Sequence, residues 1–229
     1  MKIECSFLSQ FPCLKHGFFE ESTDILMKGR DKAMTAMAGC PISLVTLKQV
    51  HGAKVTHVTQ PLNKEIEGDG LVTRVKGIAL GILTADCGPL LFYDPVAGVI
   101  GACHAGWRGA KSGIIQATLK AMEEEGGARS RIFATLGPTI RQMNYEVGPE
   151  FPAFFEESDN IYFLPAQKEG FHYFNLPKYI LDQLFNEGIG QIHDLRQDTF
   201  TGPFASRRRF LSQGVDTSTS SNLSAIAIM

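Results

Sequence analysis

Two short runs of almost wholly apolar residues lie near the middle of the chain and restrict its fold most strongly. They are "GIALGILTADC" and "VAGVIGACHAG", and each is bounded by Gly, Asp or Pro. Short runs without polar alternation are typical of β-strands that are buried on both faces. Between them, "YDPVAG" carries the Asp-Pro and Gly signals of a turn. The centre of the fold is therefore predicted to be a sheet with both faces covered.

The segment after the second run predicts a glycine-rich turn followed by a helix. In "AGWRGAKSGIIQATLKAMEEEGG" apolar residues recur at helical spacing from about Ala110, and Gly126 and Gly127 would end the helix. The first turn of a helix has unpaired N–H groups and the positive end of the helix dipole, which suit a phosphate group. Arg108 would lie at the entrance to such a phosphate site.

Other segments complete a mixed pattern of strands and helices. "ISLVTLKQVHGAKVTHVTQ" predicts two strands joined by a loop over residues 48–52, and "RIFATLGP" predicts another strand. "LPKYILDQLFNEGIG" predicts an amphipathic helix that ends at Gly188 and faces inward with Ile180, Leu181, Leu184 and Phe185. Because these elements alternate irregularly, we predict an α+β fold, a single domain over residues 1–229 of mixed β-sheets packed with flanking helices.

Charge and cysteine usage exclude several classes of function. A net charge of -2 and a pI of about 6.3 give no basic field that would bind nucleic acid or an anionic membrane. The 5 cysteines contain no CxxC pair, so neither a disulfide framework nor a zinc ribbon is indicated. The first residues lack the apolar core of a signal peptide, and no apolar run approaches a membrane span. We expect a cytoplasmic protein, monomeric or homodimeric, that acts on small molecules.

Three residues that bind metals or attack substrates lie beside glycines at strand ends or in loops: His51, Cys87 and His104. One Cys and two His from separate segments can form a tetrahedral zinc site with an open position, as catalytic zinc requires. The same residues allow Cys87 to act as a nucleophile, with either histidine as its base and Asp86 as an orienting group. They also match the His2Cys ligands of blue copper. The residues alone leave these interpretations open.

Neighbouring residues of the same types have simpler interpretations. Cys103 alternates with His104 along a strand and should point to the opposite face, into the core. Asp86 would face away from Cys87 unless the strand ends before it. The remaining histidines are expected to be exposed or hydrogen-bonded: His16, His57, His172 and His193. The arginines of "SRRRF", Arg207 to Arg209, form either a solvated basic patch or a site for an anionic group of the substrate.

Five motifs follow one another between residues 47 and 148: "LKQVHGAKV", "GDGLVT", "LTADCGPLLFYDP", "GACHAGWRG" and "LGPTI...NYEVG". Together they resemble the YfiH/YlmD family of multicopper-polyphenol-oxidoreductase-like proteins, also called the peptidoglycan editing factor or laccase-domain family, with its FAMIN-like purine nucleoside phosphorylases. The resemblance implies a YfiH-like fold, catalytic roles for His51, Cys87 and His104, and a zinc ion bound by these three residues.

The resemblance implies several activities. The family is associated with phosphorolysis of adenosine, inosine, guanosine and methylthioadenosine, with adenosine deamination, with laccase activity and with editing of peptidoglycan precursors. The 6 histidines are too few for the copper centres of a laccase, so we discount a copper-dependent polyphenol oxidase and keep Cu2+ only as the alternative metal. We expect a zinc-dependent purine nucleoside phosphorylase that also deaminates adenosine. The alternatives are a Cys87-dependent hydrolase of peptidoglycan precursors and a binding module with a structural metal.

Phosphorolysis requires phosphate to be held against the anomeric carbon of the nucleoside. Arg108 at the predicted helix start is an expected ligand. Lys48 and Gln49 of "LKQVHGAKV" are further candidates, as are Arg208 and Arg209 of "FASRRR", which resembles the family's Phe-x-Ser-x-Arg-Arg segment. For deamination, an acid is also needed, and the candidates are Asp86, Tyr145 and Glu146.

The chain departs from the family pattern in three places. "HGFFEESTD" at residues 16–24 replaces a Phe-Ser-Thr-Arg-x-Gly-Gly segment, and Asn144 stands where a cysteine usually precedes the tyrosine. The tail at residues 218–224 lacks the usual Gly-Arg before its last apolar strand. The proposed metal ligands are unaffected by these changes, whereas the substrate and phosphate contacts could differ.

Overall fold

The computed structural model describes residues 2–20, 29–215 and 220–229, and its main feature is a pair of mixed β-sheets packed face to face. The first sheet has the strand order β1 (Lys2–Ile3), β2 (Leu14–Phe19), β14 (Asn222–Ile228), β6 (Ile78–Thr84) and β3 (Ser43–Val45). The second has the order β13 (Gln191–Asp194), β9 (Phe133–Leu136), β7 (Gly88–Asp94), β8 (Val99–Ala105), β5 (Gly70–Thr73) and β4 (Val55–His57). A small third sheet has the order β10 (Glu146–Val147), β12 (His172–Phe174) and β11 (Phe163–Pro165).

Helices cover the outer faces of the two large sheets. The α-helices of the described residues are α1 (Ser6–Ser9), α2 (Arg30–Ala38), α3 (Trp107–Lys111), α4 (Ile114–Glu124), α5 (Leu176–Asn186) and α6 (Arg207–Ser212). Short 3₁₀ helices span Arg129–Arg131, Gln142–Asn144, Phe151–Phe154 and Glu157–Tyr162. Helix α2 packs on the first sheet, while α4 and α5 pack on the second. The predicted α+β fold of mixed sheets with flanking helices is confirmed.

Alternation of side chains along the central strands explains why both sheet faces are apolar. In β7, Leu90 and Phe92 contact the helices, whereas Leu91 and Tyr93 point into the layer between the two sheets. Successive side chains of a strand face opposite ways, so a strand between two apolar layers needs apolar residues at every position. The two apolar runs of the sequence form β6 and β8 as predicted, and β7 is an additional strand between them.

Two predictions about helices were wrong in detail. The single helix expected from about Ala110 is two helices, because Gly113 adopts a left-handed φ of 89° between α3 and α4. In α5, Ile180 and Leu184 are buried as predicted, but Phe185 is 74% exposed. Gly188, which follows that helix, has the predicted terminating role with a φ of 77°.

The chain passes from the first sheet to the second at one end of the sandwich, and these passages carry the candidate site residues. The β3–β4 connection contains His51, and the β6–β7 connection contains Cys87. The register of β7 and β8 pairs Gly88 with Ala105, which brings Cys87 beside the end of β8, where His104 lies. Strand pairing therefore brings Cys87 and His104 together.

No helix of the described residues is long and apolar enough to cross a membrane. Residues 1, 21–28 and 216–219 are not described. The departure at residues 16–24 and the polar loop at residues 218–221 therefore lie partly outside the described residues.

Candidate metal centre

His51, Cys87 and His104 form a compact group at the end of the sheet sandwich. Their ligand atoms all lie within 4.8 Å of one another. The rings of His51 and His104 are 4.7 Å apart and nearly perpendicular, with His104 buried and His51 exposed. Within residues 2–20, 29–215 and 220–229, no other group of three Cys, His, Asp or Glu residues is arranged to hold a metal ion.

Asp69 orients this group, although the sequence analysis did not assign it a role. Its Oδ1 atom lies 2.8 Å from Nδ1 of His104, and its carboxylate is fully buried. Asp69 directly precedes β5, whose Gly70 pairs with Cys103 of β8, so the sheet register places it opposite His104. Because Nδ1 of His104 is directed to Asp69, Nε2 is left to bind a metal.

The same carboxylate also holds the loop that carries His51. Its oxygens accept hydrogen bonds from the backbone N–H groups of Val50, His51 and Gly52, at 3.2, 2.9 and 2.8 Å. His51 has a φ of 61°, a left-handed conformation that is uncommon for a residue other than glycine. The three hydrogen bonds to Asp69 offset the cost of this conformation and fix the histidine beside Cys87.

Gln49 fastens the His51 loop to the strand that leads to Cys87. Its Nε2 atom donates to the carbonyl of Leu83 at 2.7 Å, and its Oε1 atom accepts from the N–H of Leu83 at 2.8 Å. Both polar atoms of the amide are therefore used within the protein. Gln49 positions the site rather than lining the cavity described below.

Gly106 allows the ligand atoms to approach each other. A Cβ atom at this position would lie 2.9 Å from Sγ of Cys87, 3.3 Å from Cδ2 of His51 and 3.6 Å from Nε2 of His104. Its φ of -72° is accessible to any residue, so the constraint is space alone. The backbone turn after β8 thus leaves room at the point where the three side chains converge.

Cys87 and His104 shift each other's pKa in opposite directions. Burial would raise the pKa of the Cys87 thiol, but the charge and hydrogen bond of His104 and the hydrogen bond of His51 lower it to about 6. Burial acts to lower the pKa of His104, but the thiolate and the hydrogen bond to Asp69 raise it to about 9. Thiolate is the form of cysteine that binds metals, and metal binding would release the proton of His104.

The residues present fit a metal ion on chemical grounds. A thiolate and two imidazoles are ligands of zinc, and three protein ligands are the usual number in a catalytic zinc site. The buried carboxylate behind His104 is the partner that a metal-binding histidine usually has. The crowding at Gly106 shows that the three side chains converge beside it.

A cavity of about 250 Å³ opens beside this group. Its apolar part includes Trp107, Ile140 and Leu176, and its remaining lining residues are His51, Ala85, Asp86, Cys87, Arg108, Tyr145, Arg207, Arg208 and Leu211. The cavity thus combines two of the three candidate metal ligands, His51 and Cys87, with three arginines and one carboxylate among the described residues.

The arginines of the cavity differ in the contacts that their guanidinium groups make. The guanidinium group of Arg108 lies 4.4 Å from the ring centre of Trp107. Arg208 donates a hydrogen bond to the carbonyl of Glu146 and lies over Tyr145. Among the described residues, neither Arg108 nor Arg207 has a hydrogen-bonded or ion-paired partner for its guanidinium group. Two cations of the cavity wall are therefore available to an anion.

The model of the family described as multi-copper polyphenol oxidoreductase laccase matches residues 20–227. The chain belongs to this family. The purine nucleoside phosphorylase of Rickettsia conorii is 32% identical over 171 residues, which cover 72% of this chain and 70% of that protein. The purine nucleoside phosphorylase of Deinococcus radiodurans is 44% identical over 128 residues, which cover 56% of this chain and 50% of that protein.

A similar fold is present in solved structures. The crystal structure of YlmD from Geobacillus stearothermophilus matches with a TM-score of 0.80 at 23% identity, over 98% of this chain and 94% of that chain. The resemblance to the YfiH/YlmD proteins, identified from the five motifs, is confirmed. At this identity, the likeness shows the fold alone.

Only some of the residues expected to contact phosphate or substrate line the cavity. Arg108 and Arg208 line the cavity. Lys48 instead forms an exposed ion pair with Glu67 at 2.8 Å. The guanidinium group of Arg209 donates to backbone carbonyls of the segment before α6, those of Thr199, Phe200, Gly202 and Phe204. Lys48 and Arg209 do not line the cavity because their charged groups are used elsewhere.

Of the three candidate acids, only two line the cavity. Strand β6 ends at Thr84, so Asp86 lies beside Cys87 in the connection and lines the cavity, with a φ of 86°. Its carboxylate accepts hydrogen bonds from Oγ1 of Thr199 at 2.6 Å and from the N–H of Arg208 at 2.7 Å. It therefore anchors the start of α6 next to the metal group. Tyr145 lines the cavity, whereas Glu146 does not.

The remaining predictions can be placed in the same way. Cys103 is buried in the core between β8 and α4, as its alternation with His104 predicted. Asn144, at the position of a family cysteine, donates to Asp198 at 2.6 Å and does not line the cavity. Asn222, in the altered tail, binds the backbone of Ala205 through both atoms of its amide and so supports the segment before α6.

Asp69, Gly106 and Trp107 are the residues whose importance the sequence analysis missed. Each lies inside a motif that was recognised, "GDGLVT" or "GACHAGWRG". A buried acid between two glycines directly before a strand is a usable signal for a residue that orients a metal ligand. Its partner is more than 30 positions away, however, and only strand pairing identifies it.

Proposed function

We propose that this protein is a zinc-dependent purine nucleoside phosphorylase that cleaves adenosine, inosine, guanosine and methylthioadenosine. The observation that carries the proposal is the cavity in which the His51, Cys87 and His104 group adjoins Arg108 and Arg207, whose guanidinium groups have no hydrogen-bonded or ion-paired partner among the described residues. Similarity to proteins named purine nucleoside phosphorylase supports the same conclusion.

The arginines supply what a phosphate nucleophile requires. Arg presents a planar set of N–H donors that matches phosphate oxygens, and it stays charged at any physiological pH. Arg108 and Arg207 would hold inorganic phosphate, and Arg208 of the same cavity carries a further positive charge. A phosphate oxygen would then form a bond to C1′ of the ribose while the C1′–N9 bond to the purine breaks. Trp107, Ile140 and Leu176 offer an apolar surface for the base.

His51, Cys87 and His104 would hold the zinc ion, and a bound zinc supplies Lewis acidity to the group it contacts. Zinc is favoured over copper by two features of the described residues. No methionine, the usual axial ligand of blue copper, lines the cavity. The other histidines do not assemble into a second metal group, which a multicopper oxidase requires.

Deamination of adenosine is a second candidate activity. It is favoured by the three protein ligands, because catalytic zinc sites of nucleobase deaminases have three ligands of the His and Cys types. Tyr145 and Asp86 line the same cavity, although both carboxylate oxygens of Asp86 already accept hydrogen bonds.

The test is chromatography of products after incubation of metal-quantified protein with adenosine or inosine, each with and without phosphate. We expect free adenine or hypoxanthine together with ribose 1-phosphate, only when phosphate is present. Inosine formed from adenosine without phosphate would demonstrate deamination. If neither nucleoside is consumed, the proposal is wrong and peptidoglycan precursors become the substrates to examine.

Two cysteine variants distinguish metal chemistry from other roles of a thiol. Cys87→Ala should lose bound zinc and phosphorolysis together. Cys103→Ala, a change at a buried cysteine on the opposite face of β8, should retain both. Full turnover by metal-free Cys87→Ala would contradict the zinc proposal. Alkylation of metal-free Cys87 with loss of a phosphate-independent hydrolase activity would instead favour the cysteine-dependent hydrolase.

A further inference from the structure

Tyr145 is the one residue with a neutral hydroxyl group among the described residues that line the cavity. It lies between the 3₁₀ helix Gln142–Asn144 and strand β10. Its ring is held by Phe174 and Phe151, with ring centres 5.8 and 6.3 Å away. On another side, the guanidinium group of Arg208 lies 5.9 Å from its ring centre. This packing fixes the orientation of the phenol.

Tyr145 lines the cavity together with two of the candidate metal ligands, His51 and Cys87. Burial raises the pKa of Tyr145, with further effects from the charges of Cys87, Arg208, Asp86 and Arg108. All four of these groups line the same cavity as Tyr145. The phenol is therefore neutral and acts as a hydrogen-bond donor at physiological pH.

The other polar groups of the cavity are already assigned to different tasks. His51 and Cys87 belong to the metal group, and both oxygens of Asp86 accept hydrogen bonds from Thr199 and Arg208. The indole of Trp107 is packed against the rings of Phe151 and Phe154, at 4.9 and 5.2 Å, and is covered by Arg108. Tyr145 thus carries the one hydroxyl group that the described lining residues offer to the substrate.

We propose that the hydroxyl of Tyr145 donates a hydrogen bond to N7 of the purine and stabilises the negative charge that the base acquires as it leaves. This inference rests on the proposed phosphorolysis. As the phosphate oxygen binds C1′, the C1′–N9 bond breaks and its electron pair stays on the base, where it is shared with N7. The base takes its proton from water after release, so Tyr145 keeps its own.

A single donor at N7 would serve all of the proposed purine nucleosides, because they share this acceptor. N7 is an acceptor in both adenine and guanine, whereas the groups at C6 differ between them, an amino donor in adenine and a carbonyl acceptor in guanine. Pyrimidines have no atom equivalent to N7. The position of Tyr145 therefore selects for purines as a class without discriminating strongly between them.

The test compares Tyr145→Phe with wild-type protein on two substrates, inosine and 7-methylguanosine. The N7-methylated base carries a positive charge in the nucleoside and leaves as a neutral molecule, so it needs no donor at N7. We expect the ratio of kcat/KM for inosine to kcat/KM for 7-methylguanosine to fall about 100-fold, as for removal of one donor to a developing negative charge. This ratio does not depend on how much of the variant is folded.

Tyr162→Phe is the matched control, because Tyr162 donates to Asp182 at 3.0 Å and does not line the cavity. It should leave the ratio unchanged. If Tyr145→Phe slows both substrates equally, or slows neither, the inference is overturned while phosphorolysis stands. If wild-type protein cleaves neither substrate in the presence of phosphate, the proposed function fails, and the inference fails with it.

Discussion

Oδ1 of Asp69 lies 2.8 Å from Nδ1 of His104, and the same atom accepts the backbone N–H of His51 at 2.9 Å. One buried carboxylate thus orients two of the three candidate metal ligands. Burial acts to raise the pKa of Asp69, but the hydrogen bonds from His104, Gly52 and Val50 outweigh it and lower this pKa. The carboxylate therefore stays ionised in the folded protein and balances the charge that a metal brings.

Substitution of Asp69→Asn should weaken zinc binding about 10- to 100-fold, the usual effect of removing a partner of a metal-binding histidine. The amide keeps the size of the side chain but loses its charge. Competition with a chromophoric chelator measures the affinity. Asp94→Asn is the control, because Asp94 is equally buried and accepts N–H groups from Val96 and Ala97, outside the site. It should lower stability and leave zinc affinity unchanged. Equal affinities of Asp69→Asn and wild-type protein would refute the role assigned to Asp69.

Substitution of Gly106→Ala should abolish stoichiometric zinc binding, because the new Cβ atom would lie 2.9 Å from Sγ of Cys87. Gly52→Ala is a matched change next to His51, where a Cβ atom would have no neighbour nearer than 3.7 Å. It should retain zinc. Metal content after dialysis, measured by atomic absorption, distinguishes the two variants. Full zinc occupancy in Gly106→Ala would show that the ligands do not converge at this point.

Arg207→Gln should raise the KM for phosphate about tenfold, since a hydrogen bond to a charged group contributes about 1.5–3 kcal/mol and exposure of Arg207 reduces that value. Its Tm should not change, because its guanidinium group has no partner among the described residues. Arg209→Gln should show the reverse, a lower Tm with an unchanged KM, since Arg209 donates to backbone carbonyls. Initial rates at varied phosphate and thermal unfolding provide the two readouts. An unchanged KM in Arg207→Gln would remove Arg207 from the phosphate site.

His16 should make the protein less stable in weak acid. It is 4% exposed, its Nε2 atom accepts the N–H of Cys5 at 2.8 Å, and burial lowers its pKa from 6.5. As the pH falls below 6.5, the unfolded chain binds a proton at His16 before the folded protein does, so stability is lost. Each unit of pKa difference corresponds to about 1.4 kcal/mol. Urea unfolding at several pH values should show a flatter pH dependence in His16→Gln than in wild-type protein. Parallel curves for the two proteins would rule this out.

Much of the site could be recognised from local sequence. Cys87 and His104 lie at the ends of apolar runs, and His51 lies in a glycine-adjacent loop. Each could therefore be identified as a candidate ligand from the short segment around it. Arg108 could be proposed for the same reason. Lys48 and Arg209 show the limit of this reasoning, because a cationic residue near a site has no fixed direction. Their charged groups bind Glu67 and backbone carbonyls instead of facing the cavity.

The sequence by itself determined the local properties of this protein: the buried strands β6 and β8, the mixed fold class, the identities of the candidate ligands and the family. Tertiary structure alone decided which distant residues support those ligands. Asp69 reaches His104 because β5 pairs with β8 in one register, and Arg207 reaches the cavity because Asp86 anchors the start of α6. Side-chain periodicity is local, whereas strand register and helix docking depend on contacts between residues far apart in the chain. A one-residue shift between β5 and β8 would turn Asp69 to the opposite face of the sheet.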